Sequence, residues 1–295
     1  MKIRITLLLF LCANLLYSED NDTSFIYEPT SFDKFIERIE YSKNVKNHNI
    51  IGIFYGYSGF SYQHKDIFSK LAPAFLTEVQ YGFTRMEENY LKSGLVHFAS
   101  ETAFLGNYSS HMTLKQLKSE GKTTDCWRFG FNFSNGYGYD SGKIGRILLY
   151  HSGSIAWYKI DFENPGESVK EQQRYDVFDE KFRFGSSFGT GVRHYFYDGF
   201  SLDIGYEHSL VFPKFLTGKW MTSAFTELLI QRTIDFFAED LINKHKDYFP
   251  VYNFFIKNAV SMAFYELRRN QMNWFFDSEP PVNYDRFRLG LSFTF

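Results

Sequence analysis

The chain has 295 residues, with 34 acidic and 32 basic side chains and a formal net charge of -2 at pH 7. No basic excess marks a nucleic-acid partner, and the mean hydropathy of -0.31 argues against helical membrane spans, as does the lack of any long apolar run beyond the amino-terminal segment. The unusual feature is the aromatic load of 20%, with 35 Phe and 21 Tyr.

Residues 1–18 begin with Lys2 and Arg4, continue as an apolar run from Ile5 to Leu16 and give way to Ser18, Glu19 and Asp20. Charged, greasy, then polar is the order of a secretory signal peptide, and about 12 apolar residues fall short of the roughly 20 that a helical span needs. Cys12 lies within this run and follows Leu11, a poor fit to a lipoprotein signal, which leaves Cys126 without an intramolecular disulfide partner. Residues 19–48 lead into the body of the chain. Within them Phe32, Phe35, Ile36 and Ile39 fall at helical spacing behind Thr30 and Asp33, which predicts a short amphipathic helix.

From residue 49 the pattern changes to windows of about ten residues that alternate large apolar with small or polar side chains, the period of a strand with two different faces. Seven windows fall in 49–212: Ile50–Phe60, Ala74–Arg85, Leu95–Gly106, Cys126–Tyr139, Arg146–Tyr158, Lys181–Tyr197 and Phe200–Phe212. The fourth is the plainest, with Trp127, Phe129, Phe131 and Phe133 on one face and Arg128, Gly130, Asn132 and Ser134 on the other. In the third, Val96, Phe98 and Phe104 are set as the apolar face against His97, Glu101 and Ala103. Short connections, such as Asp198-Gly199, alternate with long ones.

Residues 213–284 break the pattern. Phe225, Leu228, Leu229, Phe237 and Leu241, and then Phe255, Ala259, Met262, Ala263 and Leu267 after Pro250, lie at helical spacing and predict a helical hairpin. Tyr252, Phe254, Ile256, Val260, Met262 and Phe264 also alternate, so two further strands are the competing reading. Residues 285–295 return to strict alternation: Phe287, Leu289, Leu291, Phe293 and Phe295 against Arg288, Gly290, Ser292 and Thr294.

The alternating windows and a final strand ending on the aromatic Phe295 resemble bacterial outer-membrane β-barrel proteins as a class. That resemblance implies an all-β, antiparallel transmembrane barrel, most simply of eight strands and alternatively of ten or twelve, in a Gram-negative-type envelope. It implies removal of residues 1–18, a periplasmic 19–48 segment, long loops at the cell surface, and outer-membrane lipid, periplasmic chaperones and the barrel-assembly machinery as partners. It also makes Phe287, Leu289, Leu291, Phe293 and Phe295 the candidate assembly signal.

An eight-stranded barrel has a lumen just wide enough for side chains to fill. The polar faces of the windows supply Glu78, Glu101, Asp203 and Glu207 against Arg128, Arg183, Arg193 and Arg288, which predicts a lumen plugged by mutual charge pairing. Catalytic signals are weak. No histidine has a serine two residues later, the spacing that would put both on one strand face; His151-Ser152 and His208-Ser209 are adjacent and point to opposite faces. His111 and His245 remain as loop or excursion bases, and no metal-ligand spacing or cofactor motif is expected. The sequence therefore favours a surface-interaction or membrane-integrity barrel over a lipid-directed enzyme or a small-solute channel.

Overall fold

The computed structural model describes residues 46–295 except 63–66, 68, 91–92, 113–121, 164–167, 198, 215 and 270–278. The expected signal peptide and the short helix over 30–41 lie outside the described residues. Eight strands close into one antiparallel barrel in simple chain order: β1 (His48–Tyr62), β2 (Ala74–Tyr90), β3 (Leu95–Ser109), β4 (Thr124–Asp140), β5 (Arg146–Phe162), β6 (Phe182–Tyr197), β7 (Phe200–Val211) and β8 (Val282–Thr294). β1 pairs with both β2 and β8, so every edge is satisfied. The last residue extends that closing seam, with the Phe295 N–H donating to Asn49 O at 2.9 Å and the Asn49 N–H donating to Phe295 O at 2.9 Å.

The strands run past the sequence windows mainly at the end of the barrel that carries the long connections. β8 starts at Val282, inside the segment assigned to the excursion. The opposite end carries short turns. There Gly145 holds φ +95°, and a Cβ would strike the Tyr195 carbonyl oxygen, so the β4–β5 turn needs glycine on both counts.

Alternation sorts the side chains as a two-faced wall requires. Ile53, Val79, Phe83, Trp127, Phe131 and Leu289 face out and are exposed, while their neighbours in sequence face a packed lumen. β3 is the exception to the expected facing. Val96, Phe98 and Phe104 are buried inside, and His97, Glu101 and Ala103 face out, the reverse of the apolar-outward assignment. A lumen this narrow needs large groups to fill it, and β3 supplies three of them.

The long-loop end is closed. A short helix, α1 (Val169–Tyr175), is capped by Ser168, whose hydroxyl accepts from the Glu171 N–H at 3.2 Å. It seats Tyr175 and Phe178 over Phe60, Tyr108, Tyr158 and Tyr284. Glu171 is buried and accepts from the Ser69 N–H at 2.9 Å, which ties this lid to the β1–β2 connection. Burial, with Glu171 nearby, pushes the Tyr175 hydroxyl well above the usual phenol range, as befits a dry cap.

The excursion is helical, as its spacing predicted: α2 (Thr217–Phe236), α3 (Ala238–His245) and α4 (Phe249–Arg268). Its helices pack outside the barrel rather than in the mouth. It lies along the outer wall, with Trp220 of α2 against Phe184 and Phe212 near the long-loop end, and Ile242 of α3 beside Leu95 and Tyr137 near the short-turn end. α4 then climbs back, from Phe249 on Tyr137 to Tyr265 on Phe188 and His208.

Candidate functional site

Two polar constellations stand out among the described residues, one inside the barrel and one beneath the hairpin. The first fills the lumen. Arg128 on β4 pairs with Glu78 on β2 at 2.9 Å and with Glu207 on β7 at 2.8 Å, and donates to Tyr108 Oη at 3.0 Å. Arg286 on β8 binds the same two carboxylates, Glu78 at 3.2 Å and Glu207 more closely still. These four groups form an alternating ring across the barrel. Below it, towards the short-turn end, Asp203 pairs with Arg193 at 3.0 Å and accepts from Tyr150 Oη at 2.8 Å. Arg288 donates to Tyr150 Oη at 2.7 Å and lies 3.7 Å from Asp203 and 3.8 Å from Glu207, linking the two clusters.

Each of these residues comes from a different point of the sequence because strand phase delivers it. The network holds four arginines against three carboxylates, and ring faces supplement the pairing: Arg128 sits 4.2 Å over Phe104, Arg193 4.9 Å over Phe98 and Arg288 5.1 Å over Phe54. Gly290 makes room for this, since a Cβ there would strike the Phe54 ring. Arg128, Arg286 and Arg288 are all less than 2% or about 2% exposed, so these charges depend on one another and on the rings rather than on water.

Of the eight residues predicted for the lumen, Glu78, Arg128, Arg193, Asp203, Glu207 and Arg288 come together there. Two do not. Glu101 stands on the outer wall and pairs with Arg85 at 3.3 Å, because β3 is turned over. Arg183 lies at the long-loop mouth, where it donates to the Val177 carbonyl of the lid. Arg286, which completes the ring, was missed; it has the same parity as Arg288 and could have been assigned inward on that ground.

The second constellation joins hairpin to wall. Lys257 on α4 pairs with Asp235 on α2 at 2.5 Å and donates to Asn135 on β4 at 3.5 Å; Asn135 contacts His97 Nε2 at 3.1 Å. His151 Nδ1 on β5 meets Asn258 at 3.3 Å. Between the helices, Gln231 donates to Ser261 at 3.1 Å, Ser261 donates to Glu227 at 2.7 Å, and Arg268 pairs with Glu227 at 2.7 Å. Higher on the wall, His208 Nδ1 lies 2.7 Å from Asp285, which also accepts from Tyr265 at 3.3 Å. Among the described residues no serine, threonine or cysteine hydrogen-bonds to His208, and no cluster of His, Cys, Asp and Glu has the arrangement of a metal site. His111 faces Glu163 at 3.3 Å in an exposed pair.

No protein-family model matches the chain, and no curated protein matches its sequence. Solved structures of similar shape include Neisserial surface protein A, at 10% identity over 84% of this chain and 97% of that one with a TM-score of 0.41. Another is Ail, the attachment invasion locus protein of Yersinia pestis, at 10% identity over 85% and 99% with a TM-score of 0.31. Both likenesses are loose, and the barrel stands on its own closed strand order.

Proposed function

We propose that this chain is a plugged eight-stranded barrel of a bacterial outer membrane, serving surface interaction or membrane integrity rather than transport. The observation that carries the reading is the buried ring of Glu78, Arg128, Glu207 and Arg286 under the aromatic lid, inside a wall whose uncovered outer face is mainly apolar, the Arg85–Glu101 pair being set within it. A filled lumen leaves no path for a solute, and a bare apolar belt belongs against hydrocarbon. The long connections then face the cell exterior and the short turns the periplasm.

A deletion strain separates the two roles when its uptake of a hydrophobic dye and its attachment to surfaces are both measured. Surface interaction predicts weaker attachment, restored by the intact gene but not by one whose segment 110–123 is replaced by a short turn; integrity predicts raised dye uptake, restored by either. Unchanged dye uptake and attachment on deletion would contradict the proposal. The terminal strand is also proposed as the mark read by the assembly machinery, so Phe295→Ser should lower folded yield well below that of Tyr197→Ser at the exposed end of β6. Equal yields would remove that role.

A second reading keeps one specific observation in its favour. The His208–Asp285 pair on the outer wall has the geometry of an oriented base. Lipid mass spectrometry of cells with the wild-type protein or His208→Ala tests it: a modified lipid that depends on His208 would establish an enzyme.

A further inference from the structure

The hairpin is built inside out for a helix pair in water. An amphipathic helix on a soluble protein turns its apolar stripe inward. Here Lys257, Asp235, Gln231, Glu227 and Arg268 face the seam between α2, α4 and the wall, whereas Phe225 is 60% exposed, Leu228 50% and Phe255 65%. The wall beneath carries a polar patch of its own. Outward positions left uncovered are Ile53, Phe83, Phe131 and their like, while those under the hairpin set His97, Asn135 and His151 among Leu95, Tyr137, Phe184 and Phe188. Two surfaces thus bring polar groups into one shared seam, beside Val260, Phe264 and Tyr265, and leave large apolar groups outside it, with Arg232 and Glu266 as the exposed charges of α2 and α4.

We infer that the α2–α4 hairpin is embedded in the bilayer beside the barrel, its outer face solvated by lipid acyl chains at the depth of the barrel's own belt. α2 and α4 have 20 residues each, about 30 Å of helix, the thickness of a hydrocarbon core. Neither helix is long and apolar enough to cross a membrane by itself. The pair can lie there because its inner charges are matched across the seam: Lys257 is 3% exposed against Asp235, and Arg268 is held by Glu227 and by Ser223 at 2.6 Å; the exposed Arg232 lies about one turn from the end of α2, where a long side chain reaches the headgroups. The apolar face of the hairpin continues that of the strands flanking it, so lipid rather than a protein partner is its occupant. This inference rests on the barrel itself lying in a membrane.

Single cysteines at Leu228 and Phe255, in a full chain with Cys12→Ala and Cys126→Ala, test it in sealed lipid vesicles. Ile53→Cys on the bare belt and Lys170→Cys on the exposed lid helix are the references. Leu228→Cys and Phe255→Cys should resist a membrane-impermeant maleimide as Ile53→Cys does, and nitroxides there should collide with dissolved oxygen in preference to a water-soluble nickel chelate. Labelling like that of Lys170→Cys, with Ile53→Cys still protected, would put the hairpin in water and overturn this inference alone. Labelling at Ile53→Cys would overturn the membrane reading as well. Nitroxides reached by neither collider, or disulfides between copies through Phe255→Cys, would mean that protein covers the face and would also overturn it.

Discussion

Arg286 touches both Glu78 and Glu207 from a position with no solvent access. Its removal leaves Glu78 paired with Arg128 and Glu207 with Arg128 and the more distant Arg288. Arg286→Ala and Arg128→Ala should each cost on the order of 3 to 5 kcal/mol, read as a lower denaturant midpoint for unfolding from lipid vesicles. Glu101 is the contrasting case: it stands on the outer wall against Arg85 and touches none of the lumenal charges, so its loss leaves the ring whole. Glu101→Gln should therefore leave the midpoint nearly unchanged while Glu78→Gln lowers it; equal losses would contradict the observed facing of β3. The same contrast explains which lumen residues were legible. Parity places a charge correctly wherever the apolar partners face lipid, as at Arg128 and Asp203. It misleads on β3, where Phe98 and Phe104 are plug residues and the outward His97 is sheltered by the hairpin.

At the scale of elements, the strands announce themselves because each sets large apolar groups on its outer side and fills a packed lumen with the other. The helices were legible too, from spacing and from Pro250 at the start of α4. Their placement was not, because it is encoded in a polar patch of the wall that looks like noise in the alternation of β3, β4 and β5. The hairpin should be separable in stability from the barrel. Glu227→Leu removes the partner of Arg268 and the acceptor of Ser261. It should speed amide exchange in α2 and α4 while exchange in β1, β2 and β8 stays slow; uniform acceleration across the strands would show that hairpin and barrel unfold as one unit.

For the molecule as a whole, chain order around the barrel and the alternation of short and long connections followed from sequence, since eight strands in simple succession leave little topological choice. The lid did not: α1 is short, and its seat depends on Tyr175 and Phe178 meeting Tyr62 of β1 and Phe162 of β5. Lid, ring and narrow bore all state one claim, that this barrel is a filled body and not a pore. Current across a planar bilayer containing the purified, folded protein measures that claim most directly. The account predicts no steady conductance above the protein-free membrane, both for the wild type and for the wall variant Glu101→Gln. Stable, ohmic channels in the wild-type protein would contradict it.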